Sequence, residues 1–567
     1  MWLTKRITTM RINFFKINIL LLTLCFFVNL NSVFGQEEQL SKEVQVVRPY
    51  EPSISDAFKL NQMPRIEDTI KTTPTFNYNL ALRPVTTDFP VNPIPAAKMV
   101  SEPLLPVYKG YVKFGFGNYT SPLAEVYYGN ERSKDYSYGV WLKHHSSFGS
   151  VTLLNGEKSD APFSQTSFNT FGKRIFDKSV LAVNAGYNLH TYNFYAYDST
   201  LATPLPIPNT EKQKQQLFKV GISYNSTHSD STHINYFFSS GFENFSDNYS
   251  NSQNTFRVKA NLDKYFKKEM VGGTIELTHH MKNETLDLAN NTIFRFAPWV
   301  GAFDKQWRVR AGLNVNIDAS ASGTTGHFYP IANASYNIVS NYVIPFFEFS
   351  GFLKQNDYAS ITAENPWVRP GIDVWNSSHK LIISGGVKGN LSARSAYNLG
   401  ASFSLIDSMY FFVNIPHASN TYFLNQFKVV YDNIQRKRFF GEFIMAPTAS
   451  VKFYAKAEYN AYNLSEIDKP WHLPDFVGRI GASYSIKDKI ILKASAYIEG
   501  KRWVKGLANS AIEINGLTDI NFGIEYRYNR KAGAFIDLNN ITGNKHQLWY
   551  LYPMHRFNMK AGVSFAF

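Results

Sequence analysis

The chain has 567 residues, with 46 Phe, 34 Tyr, a formal net charge of +14 and a mean hydropathy of −0.25. A helical membrane protein needs repeated apolar runs of roughly 20 residues, whereas this sequence has one apolar run near its N-terminus and none after it. Its single cysteine, Cys25, excludes a disulfide framework, and the dispersed Lys and Arg residues do not form the basic cluster typical of nucleic-acid binding.

The first 35 residues are predicted to be a cleaved secretory signal peptide. An apolar stretch at residues 19–28 is followed by small residues that allow cleavage before Gln36. A single membrane anchor is the alternative, but the apolar stretch is short. The basic residues ahead of it are Lys5, Arg6, Arg11 and Lys16. Cleavage leaves a mature chain with a net charge of +10 and no cysteine, and implies export.

Residues 36–106 are predicted to form a proline-rich extended arm, either periplasmic or entering the lumen of a barrel. This segment holds ten of the 25 prolines of the chain. Proline has no N–H to donate to a β-ladder, so the segment cannot be a series of central strands.

From residue 107 onward, apolar and polar residues alternate. In residues 307–318 every odd position is apolar and every even position is polar or glycine, and residues 218–224 and 451–459 repeat the pattern. Successive side chains of a strand point to opposite faces, and these runs approach the roughly 9–11 residues that a membrane-spanning strand needs. Residues 107–567 are therefore predicted to form an all-β, transmembrane antiparallel β-barrel of about 22 strands, with 18–26 plausible. Closure follows because an open edge in lipid leaves backbone groups unsatisfied.

The last strand carries the most specific pattern. Its apolar positions resemble the C-terminal strand of bacterial outer-membrane proteins, which the barrel assembly machinery recognises. The predicted assembly signal consists of Phe557, Met559, Val563, Phe565 and Phe567. The expected partners are therefore the barrel assembly machinery and outer-membrane lipid.

Short turns, such as residues 486–489, alternate with longer connections, such as residues 155–164 and 197–211, as in membrane barrels. One connection, at residues 365–371, contains Pro366, Trp367 and Pro370. Two prolines around a Trp form a stiff apolar knob. It suits docking of a partner or plugging of the barrel mouth, and a purely structural role is equally compatible with the residues.

No catalytic, cofactor or metal site is predicted. His144 and Ser146 share a strand face but His145 does not, and a strand end with polar lumen and interface residues is a simpler interpretation than a hydrolase triad. Adjacent His279 and His280 diverge on a strand, and no third ligand is suitably spaced. The chain is therefore expected not to be an enzyme. Several aromatic residues near strand ends are expected in the interfacial girdles of the barrel, with ligand stacking as the alternative: Trp141, Trp299, Trp307, Trp503 and Tyr550.

Residues 43–59 and 108–119, together with 143–147 and 365–368, resemble segments of TonB-dependent-receptor-like outer-membrane barrels of Bacteroidota. The resemblance implies energised uptake through a 22-stranded barrel with an N-terminal plug and a TonB-binding strand. The residues similar to such a TonB box are Glu43, Val44, Gln45, Val46 and Val47. A β-prone segment of this kind can add to the sheet edge of a partner. The arm is shorter than the family's folded plug, so a plug-less barrel is expected.

These observations predict a protein of the cell outer membrane that transports a solute across it. The alternative is a non-transporting barrel that acts as a scaffold or partner in an envelope assembly or secretion complex. TonB or other envelope proteins are expected to bind through the arm, and nucleic acid is not expected as a partner. Since an open wide barrel would leak, the arm, inward-folded loops or a partner protein must block the lumen.

Overall fold

The computed structural model describes residues 108–567, apart from 155, 197–211, 229–231, 283–289, 321–322, 418 and 420–421. The predicted signal peptide (1–35), the arm (36–106) and the TonB-box-like strand therefore lie outside the described residues. Within the described ranges, no helix is both long enough and apolar enough to cross a membrane.

Nearly all regular structure in the described residues is β-strand. The strands are β1 (Gly110–Gly117), β2 (Ser121–Gly129), β3 (Tyr136–Ser147), β4 (Ser150–Thr152), β5 (Lys158–Asp160), β6 (Phe163–Ile175), β7 (Ser179–Asn193), β8 (Lys212–Ser226), β9 (Ile234–Asp247), β10 (Ser252–Phe266), β11 (Glu269–Lys282), β12 (Asn291–Phe303), β13 (Trp307–Ser320), β14 (Gly323–Tyr336), β15 (Ile344–Lys354), β16 (Ser377–Ser392), β17 (Ser395–Pro416), β18 (Phe423–Met445), β19 (Val451–Leu464), β20 (Phe476–Ile486), β21 (Ile490–Glu499), β22 (Arg502–Lys505), β23 (Ala511–Ile514), β24 (Leu517–Arg527), β25 (Ala532–Asn539), β26 (Gln547–Trp549), β27 (Tyr552–Pro553) and β28 (Asn558–Ala566). One α-helix, α1, spans Tyr358–Glu364, and a 3-10 turn spans Leu507–Asn509.

In this part of the chain, 22 strands form one antiparallel sheet that closes into a ring. The other six strands form three small hairpins, β4–β5, β22–β23 and β26–β27. Closure is made by β1 and β28, which pair from Tyr111 opposite Ala566 to Gly117 opposite Lys560. Gly110 and Phe567 then exchange both backbone hydrogen bonds, each 2.9 Å long. The predicted antiparallel barrel of about 22 strands is confirmed.

The barrel exposes its apolar residues and buries polar ones, which reverses the arrangement of a water-soluble protein. In β13, Val309, Leu313 and Ile317 are exposed, whereas Asn314 and Asn316 are only 1% and 2% exposed. The period-two pattern therefore places the apolar face outside and the polar face in the lumen. An apolar belt around a closed ring is suited to lipid and is unfavourable in water.

Ion pairs between neighbouring strands line the lumen. Glu276 of β11 lies 3.6 Å from Arg257 of β10 and 3.8 Å from Arg295 of β12. In another part of the ring, Arg438 of β18 lies 2.7 Å from Glu458 of the neighbouring strand β19. Each pair joins side chains of opposite charge on one sheet face, which is a favourable cross-strand arrangement. The inner wall is therefore polar, and these pairs compensate part of its charge.

The two ends of the barrel differ. One end has short turns, such as residues 267–268, 393–394 and 487–489, and is called the turn end. The other end, called the mouth, carries the long connections and the three small hairpins. The longest described connections at the mouth are residues 148–162, 355–376, 465–475, 500–516 and 540–557. This asymmetry is the one predicted from the spacing of the strands.

The expectation of an aromatic girdle is correct for Trp307, which lies on the outer face at the turn end beside Tyr336. It is wrong for the other four residues. Trp299 lies in the lumen, where the Arg310 guanidinium stacks 3.8 Å from its ring centroid. Trp141 shares the lumen face of Lys143, because residues two apart on a strand share a face. Trp503 and Tyr550 belong to the mouth connections.

Candidate functional site

The longest hairpin of the barrel, β17–β18, extends beyond its neighbours at the mouth. The pairing of β17 with β16 ends at Asp407, and the pairing of β18 with β19 ends at Ile434. Residues 409–416 and 423–432, together called the overhang, are therefore laddered to each other but not to β16 or β19. A register shift separates Ile406 from Met409, and Ser408 between them has a positive φ of 53°. Such a β-bulge bends a strand, and the hairpin leaves the barrel wall there.

The overhang is buried on both of its faces. Phe411, Phe412 and Val413 are consecutive, and each is at most 3% exposed. Phe412 packs in one apolar cluster with Phe423 and Phe427, whereas Phe411 and Val413 pack in a second cluster. Since consecutive side chains point to opposite faces, the overhang lies between two packed layers and contacts little water.

The connection between β15 and β16 supplies one of these layers through α1. The carboxylate of Asp357 caps the helix by accepting from the backbone N–H of Ser360 at 2.6 Å. Tyr358 and Ile361 are buried on the inward side of the helix. The Tyr358 hydroxyl donates to Asp247 of β9 at 3.0 Å. The helix is thereby fixed to the opposite part of the barrel wall from the overhang.

The knob predicted at residues 365–371 lies inside the mouth. The Asn365 side chain accepts from the backbone N–H of Trp367 at 3.0 Å and tightens the turn. On one side, the Phe427 N–H donates to the Trp367 carbonyl at 3.0 Å. On the other side, the Trp367 indole donates to the Asn193 carbonyl at 3.2 Å, and the Tyr192 hydroxyl donates to the Pro366 carbonyl. Pro370 follows at the end of this segment.

These contacts join opposite sides of the ring. Asn193 is the last residue of β7 and Phe427 lies in β18, which are the fifth and the sixteenth strands around the 22-stranded ring of described residues. Strands eleven places apart in such a ring face each other across its diameter. Trp367 therefore spans the mouth.

An aromatic stack reinforces this bridge. The Trp367 and Tyr552 rings are stacked with centroids 3.9 Å apart, and the Tyr552 hydroxyl donates to the Asn425 carbonyl of the overhang. Tyr195 meets Trp367 edge-on at 5.8 Å and donates to the Pro553 carbonyl at 2.9 Å. We name this assembly the mouth cap. It comprises residues 192–196, 355–376, 409–416, 423–432, 465–475, 500–516 and 540–557.

Two basic groups are buried within the mouth cap. Arg502 is 1% exposed, donates to the carbonyls of Gln547 and Leu548, and lies 3.6 Å from Glu499. His472 lies 2.9 Å from the Phe412 carbonyl through Nδ1. Because a carbonyl only accepts, Nδ1 carries the proton. Burial lowers the pKa of His472 to about 4; the positive charge of Arg502 also lowers it, against the opposing bond to Phe412.

The pKa of His472 predicts that acid loosens the mouth cap. In an open cap His472 would be solvated, with a pKa of about 6.5. The open form therefore binds a proton more readily than the closed form, and the closed form is fully favoured only above pH 6.5. As pH falls from 6.5 toward 4, closure should weaken, by about 2 kcal/mol at pH 5. Protease cleavage of the mouth connections at pH 7.5 and pH 5 measures this effect, and His472→Gln should remove the pH dependence. Equal pH dependence in both proteins would contradict the assignment to His472.

The other residues singled out from the sequence lie elsewhere. His144 Nε2 is 3.2 Å from Ser146 Oγ, but its Nδ1 contacts the Thr166 hydroxyl at 2.8 Å in place of a carboxylate. His279 and His280 contact different neighbours, Thr292 and Thr255. No group of three potential metal ligands occurs among the described residues. The C-terminal positions Phe557, Met559, Val563, Phe565 and Phe567 are all exposed on the outside of the barrel.

Sequence reasoning missed most residues of the mouth cap, including Phe412, Phe427, Tyr552, His472 and Arg502. One signal was present. Residues 409–413 read Met-Tyr-Phe-Phe-Val, an apolar run that breaks the period-two alternation. Such a run indicates a strand that is buried on both faces. A strand of the barrel wall differs, because one of its faces meets lipid and the other meets the wet lumen.

No protein-family model and no curated protein matches the chain. Several solved structures do match its fold. The siderophore receptor PirA from Acinetobacter baumannii is 8% identical, with 83% of this chain and 82% of that chain covered and a TM-score of 0.62. The iron transporter FrpB from Neisseria meningitidis is 9% identical, with 82% of each chain covered and a TM-score of 0.62. The ferric-catecholate import receptor Fiu from E. coli is 11% identical, with 83% of each chain covered and a TM-score of 0.61. At these identities the likeness establishes the fold alone, and the chain shares the barrel architecture of these two receptors and this transporter.

Proposed function

We propose that this protein is a TonB-dependent-receptor-like, plug-less barrel of the outer membrane that passes a solute across that membrane, and that its mouth cap is the closed state of the gate. The observation that carries the proposal is the closed 22-stranded ring, apolar outside and polar inside, in the described residues. The solved structures of similar fold are a siderophore receptor, an iron transporter and an import receptor. The role is transport without catalysis.

The gate role follows from how the mouth cap is held. Trp367 links opposite walls through a backbone hydrogen bond from Phe427, an indole hydrogen bond to Asn193 and an aromatic stack on Tyr552. These are non-covalent contacts, each of which contributes about 1 kcal/mol. A solute entering from the mouth must displace them, and a modest differential binding energy is enough to shift such an equilibrium. The lumen could be blocked by the arm, by inward-folded connections or by a partner protein. This proposal assigns the block at the mouth to the inward-folded connections.

The N-terminal arm provides the coupling in this proposal. Residues 1–35 direct export, and the arm at 36–106 presents Glu43, Val44, Gln45, Val46 and Val47 for addition to a sheet edge of TonB or another envelope protein. The outward row from Phe557 to Phe567 serves as the signal for the barrel assembly machinery. Deletion of residues 44–47 should abolish energised uptake in cells and leave the barrel folded.

A reversible staple tests the gate directly. Val368 and Phe427 are bridge partners, so cysteines at both positions lie at a separation that a disulfide can span. In planar bilayers with KCl, the oxidised Val368→Cys/Phe427→Cys protein should show no channel openings. Adding a reductant to this protein should make the openings appear. A chain lacking residues 366–370 should conduct steadily. The matched control joins Tyr111→Cys to Ala566→Cys at the seam, where oxidation should not change conductance.

A second candidate is a scaffold in an envelope complex, which the closed mouth also suits. It predicts a barrel that stays closed even without residues 366–370 and that co-purifies with envelope proteins through the arm. Openings that are unaffected by the oxidised staple would contradict the gate. A barrel that stays non-conducting without residues 366–370 would contradict the gate and favour the scaffold.

A further inference from the structure

A cavity of about 510 Å³ lies at the edge of the mouth cap, between it and the barrel wall. It is bounded by the mouth ends of β11 to β16, by residues 407–408 of β17 and by the end of the α1 connection, residues 373–376. Its volume falls within the range of pockets that take small molecules. Its wall includes Trp375 and three carboxylates, so it differs from the apolar interior of the mouth cap.

Trp375 offers an open aromatic face in this cavity. One face of its ring is stacked on Tyr431, with centroids 4.7 Å apart and planes 22° apart. The Tyr431 hydroxyl accepts from the backbone N–H of Trp375 at 3.0 Å and donates to the backbone carbonyl of Asp373 at 2.9 Å. The Trp375 side chain is nevertheless 56% exposed. The ring is thus held in place on one side and accessible on the other.

The carboxylates around this ring are unequally compensated. Asp407 forms an ion pair with Lys380. Asp318 accepts from the side-chain amides of Asn291 at 3.0 Å and Asn376 at 2.7 Å, and the side chain of Lys282 lines the same cavity.

Asp373, two residues before Trp375, is exposed and has no ion pair within the described part of the chain. Both residues line the cavity. The cavity wall therefore combines an open aromatic face with a carboxylate that has no ion pair among the described residues.

We propose that this cavity binds an organic cation, with a guanidinium or alkylammonium group placed on Trp375 and paired with Asp373. A cation over an aromatic face is attracted by the ring quadrupole, and the nearby carboxylate adds a Coulomb attraction. A neutral analogue of the same shape keeps only the stacking contact, and an anion faces three carboxylates. Binding stands independently of transport; that the bound cation is cargo rests on the proposed function.

Calorimetry on the purified full-length protein in detergent tests this site. The probes are N-acetyl-arginine amide, its neutral isostere N-acetyl-citrulline amide, and N-acetyl-glutamate amide. The arginine probe should bind about tenfold more tightly than the citrulline probe, since a desolvated cation–π contact and one ion pair together give roughly that factor. The glutamate probe should not bind. Asp373→Asn should remove the preference for arginine, and Asp373→Glu should keep it.

Variants of the ring complete the design. Trp375→Ala should weaken binding of both the arginine and the citrulline probes, and Trp375→Phe should retain most of it. Asp488→Asn, at the turn end, is the matched control and should change nothing. Equal affinity for arginine and citrulline, an unchanged preference in Asp373→Asn, or no arginine binding at millimolar concentration would each overturn the proposal. The conductance tests of the gate use no organic cation, so failure of the binding site and failure of the gate give different results.

Discussion

Replacing Trp367 with alanine should open the barrel mouth. The change removes the ring that stacks on Tyr552 and the indole bond to Asn193 on the far wall. Truncation of a packed Trp costs about 3–5 kcal/mol, so the open fraction should rise by at least about 100-fold if most of that cost falls on the closed state. The overhang keeps its own ladder, and the barrel itself should stay folded.

A single cysteine in the lumen reports this opening. The only cysteine of the sequence, Cys25, lies in the predicted signal peptide, so Ser223→Cys on the lumen face of β8 gives an unambiguous label. In intact cells, a membrane-impermeant maleimide should label Ser223→Cys slowly with the native mouth cap and much faster with Trp367→Ala. Trp307→Ala, on the outer face at the turn end, is the matched control and should not change the labelling rate. Fast labelling with the native mouth cap would show that the mouth is not closed by its own connections.

A charge placed on the outer face should be far more damaging than the same charge one residue away. Ile222 of β8 is 47% exposed on the outside, whereas Ser223 points into the lumen beside the row that contains the Lys219–Glu243 pair. In water, arginine at an exposed position such as Ile222 would cost little. In lipid, arginine near the middle of a barrel strand costs about 2–4 kcal/mol.

Equilibrium unfolding in phospholipid vesicles measures this difference. Ile222→Arg should lower the free energy of unfolding by about 2–4 kcal/mol, and Ser223→Arg by much less, since the lumen is wet and polar. Ile222→Leu serves as the control for packing at the outer position. If the two arginine variants were equally stable, the outer face would not be in lipid.

The barrel could be predicted from the sequence because its signal is local and repeated. The alternation in residues 307–318 places Val309, Leu313 and Ile317 on one face and Asn314 and Asn316 on the other, as the structure shows. Closure then follows from the cost of bare backbone groups in lipid. Neither step needs knowledge of which strand lies next to which.

The mouth cap could not be predicted because its contacts are not local. Trp367 reaches Asn193 across 174 positions of sequence, and Tyr552 reaches Asn425 across 127. Alternation contains no information about such pairs. The sequence did single out Pro366, Trp367 and Pro370 as a stiff apolar knob. It did not indicate which backbone groups on the two walls form hydrogen bonds with this knob.

The girdle prediction failed for a different reason. Trp299 was assigned by its nearness to a strand end, although its odd position places it on the face of Arg295, which points into the lumen. The parity of the position, which was available in the sequence, would have given the correct face. Nearness to a strand end sets the depth of a residue, and only parity sets whether it meets lipid or lumen.

Spin-label scanning of residues 307–318 in phospholipid vesicles tests the central claim most directly. Each position in turn carries a nitroxide on a single cysteine, and its collisions with oxygen, which concentrates in lipid, and with a water-soluble nickel complex are compared. The membrane-spanning barrel predicts high oxygen access at the odd positions and low oxygen access at the even positions, alternating along the whole strand. Nickel access at the odd positions equal to that at the even ones, or no alternation, would contradict a strand of a closed barrel in lipid.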